Sequence, residues 1–118
     1  MLKLNHKNLD VWKLAIKLVR KIYKITSNYP KEELFGLVNQ TRRASVSISA
    51  NIAEGSARKS VIERKRFYEI ARSSLVEVDN HLIIANELDF ISDSDFSEID
   101  PDLNELFAKL SKFIENAK

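Results

Sequence analysis

The sequence predicts an all-α protein, an up-and-down bundle of four helices, on three observations. Apolar residues recur at three- and four-residue steps through most of the chain. Only 2 Gly and 2 Pro punctuate the 118 residues, whereas sandwiches and barrels need a turn about every 8–12 residues. The breaks between periodic segments are short, so successive helices run antiparallel. The length fits one domain over residues 1–118, inside the common range of about 100–150 residues. With 44% hydrophobic and 31% charged residues, the composition excludes a disordered chain.

The first helix is expected from Leu9 to Ile25. Trp12, Ala15, Ile16, Val19, Ile22 and Tyr23 share one stripe, with Lys13, Lys17, Arg20, Lys21 and Lys24 opposite. Thr26 to Pro30 ends it, because the residue before proline is pushed out of the α region. The second helix is expected from Lys31 to Glu54. Glu32 and Glu33 complement the helix dipole in its first turn, and Gly55 serves as a left-handed C-cap. Residues 45–52 alternate Ser or Asn with Val, Ile or Ala, which locally reads as a strand. A lone strand would have no partner, so the helix is preferred. It places Thr41, Ala44, Ile48 and Ile52 on one side, and its small serines let neighbouring helices approach on more than one face.

The third helix opens on a capping box, Ser60 with Glu63. Phe67, Ile70, Ala71, Ser74, Leu75, Val78, His81, Leu82, Ala85 and Leu88 then hold a three-four repeat. Asp89 to Ser92 reads as a turn. The fourth helix, from Asp93, carries Phe96, Ile99, Leu103, Leu106, Leu110 and Phe113 on one stripe; Pro101 either kinks it or divides it into a short and a longer helix, and the unbroken stripe favours the kink. The third helix has a stripe wide enough for two neighbours, and the second has almost no charge between Ala44 and Ala53. One copy would leave that surface open, so a closed homo-oligomer through these two helices is expected.

The net charge is +2, but residues 1–28 carry a balance of +6 and residues 89–118 a balance of −5. Such asymmetry fits either a basic face for nucleic acid or first and last helices that neutralise each other, and the second reading is favoured. The charged N-terminus has no signal-peptide core, and no run approaches the 20 or so apolar residues of a membrane span, so a cytoplasmic protein without membrane contact is expected. The absence of cysteine agrees with a reducing compartment and removes disulfides and thiolate chemistry.

Little in the sequence suggests catalysis. His81 lies four residues after Glu77, but a di-iron bundle needs Glu-x-x-His on two helices; the residue three after Glu77 is Asn80, and no other helix supplies a histidine. No nucleophile elbow or phosphate-cradling glycine loop is present. No metal, cofactor or enzymatic activity is therefore expected. Trp12 offers a ring for base stacking, but on an apolar stripe it reads as core. The remaining signal is basic: Arg42 and Arg43 within the second helix, and Arg58, Lys59, Arg64, Lys65 and Arg66 around the start of the third. Cations at a helix N-terminus oppose the dipole. Either Glu54 and Glu63 neutralise them, or a polyanion does. Without interleaved aromatics, phosphate binding there would tolerate any base sequence.

Residues spread over nearly the whole chain carry a family resemblance: Leu9-Asp10-Val11-Trp12, Ile22-Tyr23, Tyr29-Pro30, Glu33, Phe35-Gly36-Leu37, Gln40, Arg42-Arg43-Ala44, the block Ser47 to Gly55 with Arg58 after it, and Phe67, Ile70-Ala71, Ser74-Leu75 and Glu77. The chain resembles the bacterial four-helix-bundle proteins encoded in intervening sequences of 23S ribosomal RNA genes, and is similar to the accessory variability protein of retroelements. The resemblance implies a homopentameric ring, with RNA or DNA, or a protein such as a reverse transcriptase, as partner. The alternative is an adaptor or scaffold ring with no nucleic-acid role. Arg42, Arg43, Asn51, Glu54, Gly55 and Arg58 match the family motif, and Asn51 with Glu54 reads as a polar network at the end of the second helix. The family often has proline where this chain has Ser49.

Overall fold

The computed structural model describes residues 1–118. Four long helices follow in order: α1 (Asp10–Thr26), α2 (Asn39–Ser56), α3 (Val61–Glu87) and α4 (Asp93–Glu115). Each packs on the next and α1 closes against α4, so the bundle runs up, down, up, down. Side-chain contacts fix the antiparallel registers. Ser47 meets Ser74 between α2 and α3, Lys21 meets Asp102 between α1 and α4, and Arg72 meets Ser111 between α3 and α4.

One apolar core fills the bundle, and each helix contributes a period-3.6 stripe to it. On α1 the buried residues are Val11, Ala15, Leu18, Ile22 and Ile25. This corrects the expected stripe: Ile16 and Val19 are half-buried and Tyr23 is exposed. The first helix carries two overlapping apolar stripes, and its neighbours α2 and α4 select the one between them. Trp12 is half-buried at the edge of the core, its ring T-shaped to that of His6 with centroids 5.3 Å apart.

The start of the second helix differs from expectation. A short 3-10 turn at Lys31–Glu33 leads into a wide π-type turn at Leu34–Val38, and regular α-helix begins only at Asn39. Gly36 breaks the run with ψ −114, and the Glu33 carboxylate accepts the Leu37 amide at 3.3 Å. Gly55 is not a left-handed cap either, since no glycine has positive φ. It lies inside α2, where α3 crosses closely. A Cβ added there would stand 2.7 Å from Tyr68 Cε1 and 2.9 Å from Phe67 Cβ. The small residue is needed for helix approach, not for backbone freedom.

Ser60 caps α3 as expected, accepting the Glu63 amide at 3.0 Å. Tyr68, Ala71, Leu75, Val78, Leu82 and Ala85 enter the core, while Ile70 and Leu88 of the expected stripe are exposed. A strict heptad stripe drifts about 20° per heptad around a straight helix, so over 27 residues part of it leaves the core face. α4 passes through Pro101 as a single helix, with Ile99, Leu103, Leu106, Leu110 and Ile114 buried.

Candidate nucleic-acid interface

The seven basic residues singled out by sequence do not form one patch. Arg43 and Arg58 lie fifteen residues apart on α2 and its C-terminal turn, or about 22 Å at about 1.5 Å per residue. Two of the seven hold the fold together. Arg42 lies over the Tyr23 ring at 4.5 Å and donates from Nε to Thr26 Oγ1 at 2.9 Å and from Nη2 to the Tyr23 carbonyl at 3.3 Å. It thereby adds donors to the C-terminal end of α1, where a cation complements the dipole. Arg64 donates to the carbonyls of Arg58 and Lys59 at 2.9 and 2.7 Å and reaches the Lys118 carbonyl, tying the α2–α3 turn to the chain end.

The other five have a different environment. Arg58 stacks on Phe67 at 4.8 Å. Arg58, Lys59 and Arg66 are exposed and Lys65 half-buried. The bundle's four ion pairs lie elsewhere: Lys17 and Lys21 with Asp102, His81 with Glu77, and Lys109 with Glu105. Glu54 and Glu63 do not neutralise the cluster as one reading expected; both are exposed and neither is paired. Arg58, Lys59, Lys65 and Arg66 thus gather at one end of the bundle within nine residues. Arg43 is exposed on the outer face of α2, in an open groove of about 630 Å³ with Tyr23, Leu34, Phe35 and Val46.

The polar network of the motif is also rearranged. Asn51 donates to the Ser47 carbonyl at 2.8 Å and to Ser47 Oγ at 3.0 Å, and Ser47 Oγ meets Ser74 Oγ at 2.9 Å. Glu54 takes no part in it. The network joins α2 to α3 at mid-length, where the serines expected only as small spacers also serve as partners. No group of three His, Asp or Glu side chains is placed to hold a metal ion. No helix is long and apolar enough to cross a membrane.

A model of the 23S rRNA-intervening sequence protein family matches residues 7–112. The chain belongs to this family. Its fold is that of a crystallised protein of unknown function from the S23 ribosomal protein family of Bacteroides thetaiotaomicron, at TM-score 0.80 and 23% identity, covering 90% of this chain and 99% of that one. No functionally curated protein matches the sequence. For this member of the intervening-sequence family, the residues singled out by sequence divide into a helix tie (Arg42), a turn tie (Arg64), a polar bridge (Asn51), a close-approach glycine (Gly55) and five cations without carboxylate partners.

Proposed function

We propose that this family member is a non-catalytic, self-associating bundle that holds RNA or DNA by its phosphates at the α2–α3 turn. The observation that carries the reading is the cluster Arg58, Lys59, Lys65 and Arg66, which has no carboxylate within ion-pair distance in a chain holding 17 acidic residues. Like charges gathered at a helix N-terminus repel one another and oppose the dipole, and a phosphate backbone offsets both. Phe67 is already covered by Arg58, so no free ring is left in the cluster to read bases, and binding tolerates any sequence. Self-association into the pentameric ring would repeat the cluster around an axis and multiply the grip.

The test is fluorescence anisotropy with a labelled RNA hairpin and a labelled DNA duplex across a salt series. Four phosphate contacts per copy give a log–log salt slope of about −3.6 on duplex DNA. The variant Arg58→Ser/Lys59→Ser/Lys65→Ser/Arg66→Ser should flatten that slope. Binding that is undetectable near about 50 mM salt, or indifferent to salt, overturns the reading. A second reading, a protein adaptor, is supported by α4, where Asp93, Asp95, Glu98 and Asp100 have no cationic partner. A partner captured from lysate that survives nuclease treatment and is lost when these acids become Asn or Gln would favour it.

A further inference from the structure

The outer groove between α3 and α4 has the spacing of a helix-docking seam. Arg72, Val76, Asp79 and Ile83 follow one another on α3 at steps of 4, 3 and 4. Asp100, Asn104, Phe107 and Ser111 follow on α4 at the same steps, the repeat that faces a partner helix. Arg72 donates from Nη1 to Ser111 Oγ at 3.1 Å. Counted from that contact along antiparallel helices, Val76 is level with Phe107, Asp79 with Asn104 and Ile83 with Asp100. Val76, Ile83 and Phe107 are 54%, 45% and 44% exposed, so the bundle leaves this apolar seam open. Leu75 and Leu103, both buried, form its floor.

The seam is also acidic. Its central hollow, of about 200 Å³, is lined by Asp79 and Asp100 and by no Lys or Arg. Neither carboxylate belongs to an ion pair of the fold. Asp100 lies four residues from the level of Asp79, or about 6 Å at about 1.5 Å per residue, so a cation entering between them is attracted by both. Arg72, the one cation on the two rows, is held by Ser111 and stands 5.9 Å from the Phe107 ring centroid. The hollow is smaller than the roughly 300–1,000 Å³ of a small-molecule site, and it suits a side chain of a longer partner. A Lys or Arg fits its chemistry, with the aliphatic stem on Leu75 and Leu103 and the charged head at the carboxylates. A nucleic acid is a poor occupant, because Asp79 and Asp100 repel phosphate.

We infer that this groove docks a basic amphipathic helix of another protein. One Lys or Arg of that helix enters between Asp79 and Asp100, and its apolar residues one turn to either side pack on Val76 with Phe107 and on Ile83. The inference rests on the adaptor reading, to which it gives a site and a partner chemistry, and it is independent of phosphate binding at the α2–α3 turn.

The probe is a fluorescein-labelled peptide of leucine and lysine in a three-four pattern, about two heptads long. It is titrated into the full chain at about 0.15 M salt, where exposed charges beyond about 8 Å are screened, and binding is read by anisotropy. The same peptide with glutamate for lysine should not bind. Asp79→Lys/Asp100→Lys should weaken the lysine peptide about tenfold or more and admit the glutamate peptide. Val76→Ser/Phe107→Ser should weaken it with the charges intact. Glu32→Lys/Glu54→Lys changes the net charge equally, but at exposed positions on and before α2, and should leave binding within about twofold. Should the aspartate reversal lower helix content by circular dichroism, Asp79→Asn/Asp100→Asn replaces it and should show the loss without the switch. No binding by wild type, or equal binding by the groove variants, overturns the groove and leaves the adaptor reading to its own test at Asp93, Asp95 and Glu98. A groove variant whose particle mass by light scattering differs from wild type shows a second copy in the groove and overturns the inference as well.

Discussion

Tyr29 has a conflict built into its position. Its side chain is buried against Phe90, ring centroids 6.0 Å apart, and its hydroxyl has no hydrogen-bond partner. Burial disfavours the phenolate and pushes its pKa up from 10.0 to about 12. Below pH 10 both folded and unfolded chains carry the neutral phenol, so ionisation does not affect stability. Between about pH 10 and 12 the unfolded chain ionises while the fold must keep the proton, so stability falls as pH rises. Tyr29→Phe removes both the orphan hydroxyl and this loss. At neutral pH it should be neutral or stabilising by up to about 1 kcal/mol. By pH 12 the gap in favour of Tyr29→Phe should widen by about 2 kcal/mol, most of the two pKa units at about 1.4 kcal/mol each. Urea melts of both proteins from pH 8 to pH 12 check this, and a gap that stays constant with pH would show the hydroxyl to be solvated. The residues marked Tyr29 as part of a stop signal and not as core, because its burial is against Phe90, which lies far along the chain in the α3–α4 turn. Arg42 was likewise legible as a charge but not as a tie, since its partners Tyr23 and Thr26 belong to another helix.

Among the elements, helix identity was legible and helix edges were not. The caps Ser60 and Ser92 work through residues three positions away, so sequence contains the whole interaction. The kink at Gly36 depends on how Leu37 and Val38 reach the core, which no local pattern shows. The end of α3 combines both cases. The turn at Asp89 was expected, but its form is a left-handed one, with φ 60 at Asp89. Phe90 N–H donates to the Ala85 carbonyl at 2.8 Å and Asp89 N–H to that of Asn86 at 3.1 Å, the pattern of a Schellman cap that glycine usually closes. A non-glycine residue in this region costs about 1–2 kcal/mol, partly relieved for Asp. Asp89→Gly should therefore raise stability by about 1 kcal/mol, read as a higher melting temperature. Asp89→Val, branched at Cβ, should lower it. If Asp89→Gly is destabilising instead, the Asp side chain contributes a contact that outweighs the backbone strain.

For the molecule as a whole, the charge asymmetry of the chain is resolved by packing. α1, rich in lysine, lies antiparallel to acidic α4, and Asp102 receives both Lys17 and Lys21. That outcome was legible in the sequence, because oppositely charged helices of an antiparallel bundle are adjacent when the first and last close the ring of four. The partition of the remaining cations was not, because it depends on which arginines find carbonyls on other elements. Asp102 is the one carboxylate with two cationic partners, and its side chain is only 18% exposed. An exposed pair contributes about 0–1 kcal/mol, and a half-screened three-charge cluster sits at the upper end of that range. Asp102→Asn keeps the shape and removes the charge, so at low salt it should cost about 1 kcal/mol. At 1 M salt the screening length falls to about 3 Å, and the melting temperatures of Asp102→Asn and wild type should converge. A deficit that persists unchanged at high salt would mean that Asp102 joins α4 to α1 through packing and hydrogen bonding rather than through its charge.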